Sequence, residues 1–493
     1  MPAVMSSTMG RAASAMKWGG VSQVGRQLLQ IVTLVVLARL LGPKDFGLMG
    51  MAAVFVGFIA VFKDLGVAAA VVQRDELTQS LLSTVYWINV GLGFLAAASL
   101  SLIAPLVADL YHQPRVTGVL RALSIGFALS GLAVLQQTLF ERQLRMRRLA
   151  VVEVFSAALG SAVAIVVAVA GWGVWSLVVL SVVTAATDSL LLWLWSTWRP
   201  SWSFNSADFR SLLHFTLNLA GFNVVNYFVR NADNFVVGRY LGSQPLGYYS
   251  MAYRILLFPL VNISSVAERV MFPVFSRVQD DLEKLRRGFL LTARAIALVT
   301  FPLMCGVFAL RRPFVLAVFG DKWVPLIKLV AILAPVGLAQ SVITVLGAVY
   351  LARGRTDIQF IYGTVTGVMA VGAFIVGLHW GVNGVAAAYA IFVVVTMYPC
   401  LAIPFRLIEL RFMVFLRALS TIGLSSATMC GALIGVQALL PAGIDPALTL
   451  LFLIPAGAAL YLGILRLVDK RPLQEVVGAL RSRSGPLQAS GEE

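Results

Sequence analysis

Apolar runs long enough to form membrane-crossing helices follow one another along almost the whole chain, parted by short polar turns. They fall at 18–38, 46–62, 81–108, 116–139, 149–171, 174–196, 211–238, 246–273, 288–310, 324–350, 357–378, 382–403, 413–438 and 446–468. A helix of ~20 apolar residues crosses a ~30 Å hydrocarbon core. The pattern therefore predicts about fourteen transmembrane helices and an all-α polytopic membrane protein. The first and tenth runs are interrupted by polar residues, and prolines 105, 259, 273, 302 and 335 predict kinks. Ahead of the first run lie 17 residues of polar leader with no cleavable signal. After the last comes "KRPLQEVVGALRSRSGPLQASGEE", read as a short amphipathic helix and a disordered end. No connection exceeds about 20 residues, too few for an extramembrane catalytic domain.

Composition agrees: 59% of residues are hydrophobic and 12% charged, and the mean hydropathy is +0.88. The net charge of +16 does not call for nucleic acid, because cytoplasmic loops of membrane proteins collect Lys and Arg. With the N-terminus inside, about 24 of the 38 Lys and Arg fall in cytoplasmic segments and about 9 in external ones. Both termini are thus expected in the cytoplasm. Cys305, Cys400 and Cys430 lie in apolar runs without metal or redox spacing, and no metal site or cofactor is expected.

One polar turn occurs twice. Residues 38–52, "ARLLGPKDFGLMGMA", align without gaps on 238–252, "GRYLGSQPLGYYSMA". The identities are Arg39/Arg239, Leu41/Leu241, Gly42/Gly242, Gly47/Gly247, Met51/Met251 and Ala52/Ala252. Runs 1–2 therefore correspond to runs 7–8, which implies two six-helix lobes entering the membrane in the same direction, plus two extra C-terminal helices. The expected organisation is 1–205 for the N-lobe, 206–405 for the C-lobe, 406–470 for helices 13–14 and 471–493 for a cytoplasmic tail. Parallel repeats of this kind build transporters. Gly42 and Gly242 suit left-handed helix caps, and Arg39 and Arg239 suit interfacial anchors.

"ARLLGPKDFGLMGMA", its weaker echo in the second half, and "FKDLGVAAAVVQR" (62–74) make the chain resemble Wzx-type polysaccharide and O-antigen flippases. These belong to the multidrug/oligosaccharidyl-lipid/polysaccharide exporter superfamily, and the likeness is to its colanic-acid and exopolysaccharide branch. The resemblance implies a MATE-like fold with a central cavity lined mainly by helices 1, 2, 7 and 8. It implies alternating access in the bacterial inner membrane, carrying an undecaprenyl-diphosphate-linked oligosaccharide from inner to outer leaflet, and a polysaccharide polymerase machinery as partner.

Polar residues inside spans are costly, ~2.5–3.5 kcal/mol for a central Arg or Asp, and so mark function or pairing. Run 7, "HFTLNLAGFNVVNYFVRNADNF", carries His214, Asn218, Asn226, Arg230 and Asn234 on one face, flanked by Asn223 and Asp233. Run 1 carries Gln23, Arg26, Gln27, Gln30 and Thr33. In the 200-residue frame Arg26 corresponds to Asn226, and Gln30 to Arg230. Run 8 adds Tyr249, Tyr253, Arg254, Asn262 and Ser265. Arginine suits a diphosphate through its planar fork, and Asn, Gln and Tyr suit sugar hydroxyls. The candidate cavity set is Gln23, Arg26, Gln27, Gln30, Asn223, Asn226, Arg230, Asp233, Asn234, Tyr253 and Arg254. The competing possibility is internal neutralisation, Arg230 by Asp233 above all. Arg269 and Arg294 read as interfacial. Asp64, Asp188 and His214 are coupling or gating candidates, Glu153 and Asp188 either pairing or titrating; the coupling ion, H⁺ or Na⁺, stays open.

Three other functions compete with this one. A lipid II-type precursor flippase shares the basic cavity and the span count. A cation-coupled drug antiporter would place acidic residues in the cavity helices, and run 1 has none. A membrane polymerase needs an acidic catalytic centre or a large external loop, and no catalytic residue is expected here. No GxxxxGK[ST] phosphate loop occurs, so ATP is not the expected energy source.

Overall fold

A computed structural model of the chain describes residues 2–63, 77–203, 227–264, 271, 273–441, 443–468 and 474. Every predicted span has a helix. These are α1 (Pro2–Leu40), α2 (Pro43–Lys63), α3 (Gln79–Tyr111), α4 (Arg115–Arg142), α5 (Met146–Val169) and α6 (Trp175–Trp195). Helix α7 is described over 227–241, and α8 is Ser243–Pro259. The series continues with α9 (Leu282–Ala309), α10 (Leu326–Ile343), α11 (Thr356–Gly377), α12 (Gly381–Leu407), α13 (Phe412–Leu439) and α14 (Pro446–Val468). Ten helical segments among the described residues are long and apolar enough to cross a membrane, one of them, Thr356–Leu407, joining α11 and α12. Helix α1 departs from expectation by running unbroken from Pro2, so the polar leader continues the first span as helix.

The lipid-facing chemistry is visible in the helix surfaces. Leu102 and Leu106 on α3 and Val166 and Val169 on α5 are all more than two-thirds exposed. Water would penalise such surface by ~25 cal/mol per Å²; hydrocarbon does not. Within the membrane, helices associate through close packing of small residues. Gly93 of α3 and Gly131 of α4 meet back to back, each in contact range of the other's backbone.

The chain forms two compact units, Met1–Gly247 and Tyr248–Glu493. In the first, α1 lies along α5, and α3 along α4. An aromatic cluster of Tyr86, Trp87, Trp193 and Trp198 ties α3 to the end of α6, with Trp202 stacked on Trp87 at 4.6 Å. In the second unit a core of Phe289, Phe405 and Phe415 joins α9, α12 and α13. Helix α8 ends at Pro259 and passes into one π-helical turn, Leu260–Ser264. Proline removes a backbone donor and crowds the preceding turn, which is how such bulges arise. Ser264 donates to Ser341 O at 2.9 Å, and the Ser341 hydroxyl lies 2.9 Å from that of Thr300. This buried polar chain fixes the irregular turn to α9 and α10.

Candidate functional site

The repeated turn is built differently in its two copies. Gly42 sits at the cap position of α2, Pro43 occupies the first helical position, and Asp45 stands three residues beyond the cap. The Gly42 N–H donates to Asp45 Oδ2 at 3.2 Å, the return half of a capping box. With its N–H satisfied in this way, Gly42 is not left-handed, contrary to expectation. The second copy has Pro245 in place of Asp45. Gly242 accordingly takes φ +90°, and its N–H bonds back to Gly238 O at 3.2 Å. Arg239 lays its guanidinium over the Tyr240 ring at 5.7 Å.

The two turns also touch. A Cβ on Gly47 would overlap the Ser243 carbonyl, and a Cβ on Gly247 would overlap the Pro43 carbonyl. Positions 43 and 243, and 47 and 247, are equivalent in the repeat. The same contact is therefore made twice, as a local two-fold relation requires.

In the first unit the polar stripe of α1 meets α5 and α6. Ser22 donates to Glu153 Oε2 at 2.8 Å, and Arg26 approaches the same oxygen at 3.9 Å. Arg26 also donates to Gln23 Oε1 at 2.8 Å, and 37% of its side chain stays exposed. About two helical turns further on, Thr33 donates to Ser161 Oγ at 2.8 Å. Asp188 of α6 lies within electrostatic reach of both Glu153 and Arg26. The Ser156 hydroxyl lies beside its carboxyl, but Oδ1 has no partner at full hydrogen-bond geometry among the described residues. Glu153 thus pairs with Arg26 of the first span, across 127 positions that no local pattern could link. Gln27 is partly exposed, and Gln30 is exposed on the same helix.

On α7, Arg230 is exposed and forms no hydrogen bond or ion pair with any described residue. Asp233 does not neutralise it. Asp233 is 3% exposed, and its Oδ1 accepts the Asn234 N–H at 2.7 Å. Tyr227 and Asn231 are occupied structurally, Tyr227 donating to Val54 O at 2.6 Å and Asn231 to Tyr227 O at 2.9 Å. Asn223, Asn226, Asp64 and His214 lie outside the described residues.

In the second unit, Tyr253 of α8 stacks on Tyr249 at 6.0 Å and faces Tyr389 of α12 at 6.3 Å. Gln340 of α10 donates to the Tyr389 hydroxyl. Arg254, next to Tyr253, is exposed and carries no hydrogen bond or ion pair among the described residues. Gln340 and Tyr389 were not anticipated, because they stand alone in apolar runs and only the packing of α10 against α12 brings them together.

Residues 36–328 match the family model described as polysaccharide biosynthesis protein. The chain belongs to the polysaccharide biosynthesis protein family. The lipopolysaccharide biosynthesis protein WzxC of Escherichia coli K12 is 29% identical over 370 residues, covering 74% of this chain and 75% of WzxC. The teichuronic acid biosynthesis protein TuaB of Bacillus subtilis 168 is 28% identical over 362 residues, covering 73% and 74%. The succinoglycan biosynthesis transport protein ExoT of Rhizobium meliloti is 28% identical over 322 residues, 65% of each chain. Among solved structures, the lipid II flippase MurJ in an inward closed conformation superposes with TM-score 0.73 at 15% identity, over 92% of this chain and 99% of MurJ. An inward-facing MATE multidrug transporter superposes with TM-score 0.60 at 18% identity, over 78% and 94%. At these identities the structural likeness concerns the fold, which is MATE-like. This family member is a multi-pass membrane protein and a Wzx-type flippase, a transporter and not an enzyme.

Proposed function

We propose that this flippase carries an undecaprenyl-diphosphate-linked oligosaccharide repeat unit from the inner to the outer leaflet of the bacterial cytoplasmic membrane, with both termini in the cytoplasm. Related proteins named for lipopolysaccharide, teichuronic acid and succinoglycan support a glycan built on a lipid carrier. The observation that carries the reading is the exposed guanidinium of Arg230, which has no partner among the described residues, within a span where an uncompensated charge is expensive. A diphosphate that accepts charge-assisted, bidentate hydrogen bonds is the ligand that repays that cost. Arg254 offers the same chemistry in the second unit, beside tyrosine faces and the Gln340 amide that suit sugar rings and hydroxyls. Gln23, Gln27 and Gln30 extend the polar stripe of α1, and Arg26 adds a guanidinium that remains partly open. The two duplicated lobes would alternate access, with the Pro259 π-turn as a compliant point.

Outward movement of a diphosphate down an inside-negative potential releases ~2.3 kcal/mol per charge per 100 mV. Two carboxylates, Glu153 and Asp188, lie beside the Arg26 guanidinium, and H⁺ is the coupling ion we favour at this cluster. The test is polymer export in the native host with Arg26→Ala and Arg230→Ala. Export should fall sharply with Arg230→Ala at normal protein levels; undiminished export with both substitutions would overturn the assignment.

A further inference from the structure

At the end of the first unit where α1 meets α2 and α5 meets α6, a cavity of about 700 Å³ opens between the turns. It is lined by Asp45, Arg115, Trp172, Gly173 and Trp175, among others. Its geometry is fixed by the backbone. Gly171 and Gly173 both have positive φ, +82° and +56°, and hold Trp172 between them at the rim, 65% exposed. Gly173 presses on the Asp45 carboxylate so closely that a Cβ would stand 2.9 Å from Oδ1. The carboxylate is anchored from the other side by the Gly42 N–H. Trp175 packs against Gly118, one turn along α4 from Arg115. Arg115 is exposed and has no hydrogen bond or ion pair among the described residues.

We propose that this cavity binds a sugar residue of a glycan. A pyranose presents an apolar C–H face that stacks on indole and a rim of vicinal hydroxyls that bridges a carboxylate and a guanidinium. Two indoles, one anchored carboxylate and one guanidinium without a partner among the described residues, in a cavity within the ~300–1,000 Å³ range of small-molecule sites, supply both halves of that recognition. An interfacial aromatic belt accounts for exposed tryptophan, but not for a glycine-shaped turn pressed on an anchored carboxylate, with a guanidinium lining the same cavity. The site belongs to the first copy of the turn only, since Pro245 replaces Asp45 in the second. The choice of ligand class rests on the flippase reading above, in which this end of the unit faces outward. Two sources share the chemistry, the lipid-linked unit after reorientation and the lipid-free polymer.

Saturation-transfer NMR on the full chain in nanodiscs tests the site. The probes are methyl glucoside, methyl galactoside, methyl mannoside, maltose and cellobiose. Separate arms use lipid-free fragments of the host polymer and the undecaprenyl-linked unit extracted from the host. At least one probe should receive saturation at its ring C–H protons. Trp172→Ala and Arg115→Ala should each weaken binding about tenfold. Trp380→Ala, which removes an exposed indole of the second unit, should leave it unchanged. Response in either extracted arm names the source. Absence of transfer from every probe and extract, or transfer indifferent to Trp172→Ala, overturns the proposal. The measurement needs no transport, so a failed flippase assay with intact sugar binding sinks only the transport reading, and the reverse sinks only this site.

Discussion

The two copies of the repeat use the same residue types to different ends. In the first copy, Arg26 stands beside Glu153, Gln23 and Asp188, and Asp45 caps the turn by accepting the Gly42 N–H. In the second, Arg230 meets no partner among the described residues, and a left-handed Gly242 closes the turn instead. The two arginines stand one helical turn apart in the repeat frame, Arg26 opposite Asn226 and Arg230 opposite Gln30, and the partner decides what each does. A guanidinium already ion-paired with a carboxylate and bonded to an amide oxygen has less to offer a diphosphate than one left open. The contrast teaches that a polar stripe on one helix is a necessary feature of a transport path, and that the neighbouring helices determine which members of the stripe are available.

The largest effect is expected where the copies are truly alike. Gly47→Ala and Gly247→Ala each drive a methyl into a backbone carbonyl, an overpacking that costs ~1–3 kcal/mol or more. Both should reduce folded protein to a similar extent in thermal unfolding measurements. A strong effect at one position only would break the two-fold relation. Next, Arg230→Ala should weaken substrate binding about tenfold to a hundredfold, the loss of a charge-assisted contact worth ~1.5–3 kcal/mol. Arg26→Ala should weaken it less and should alter the pH dependence of transport more. Asp45→Ala should cost ~0.5–2 kcal/mol through the lost cap, whereas Pro245→Ala should leave stability within error.

The smallest effect lies outside the membrane. The Lys284 side chain and backbone N–H hold the Asp281 carboxyl below its usual range, and Asp281 caps α9 through the Lys284 N–H at 3.0 Å. A depressed carboxyl stabilises the fold above its unfolded value, roughly pH 4, and that contribution is lost as pH falls through the folded value. Asp281→Asn should flatten the acid limb of the stability profile slightly.

Much of this architecture was legible because membrane thickness dictates helix length: α14 coincides with the run 446–468, and α2 extends the run 46–62 only slightly. The repeat was legible because Gly47 and Gly247 are required by contact, and Gly242 by its left-handed turn. Partnerships were not legible. Ser22 and Glu153 lie 131 positions apart, and Gln340 and Tyr389 lie 49 apart. Residue spacing along one helix reveals a face, but it carries no record of which helix covers that face. The left-handed expectation for Gly42 failed for a related reason, since a side chain three residues on supplied the bond that the backbone would otherwise have sought.

The most direct test of the central claim is flipping of a fluorescent lipid-diphosphate oligosaccharide by purified protein in proteoliposomes under an imposed inside-negative potential. Wild type, Arg26→Ala, Arg230→Ala and Arg230→Lys would be compared at equal incorporation. The account predicts that Arg230→Ala loses at least about tenfold in rate, that Arg230→Lys recovers part of it, and that Arg26→Ala retains most of the rate. Equal losses at Arg26 and Arg230, or no loss at Arg230, would contradict it.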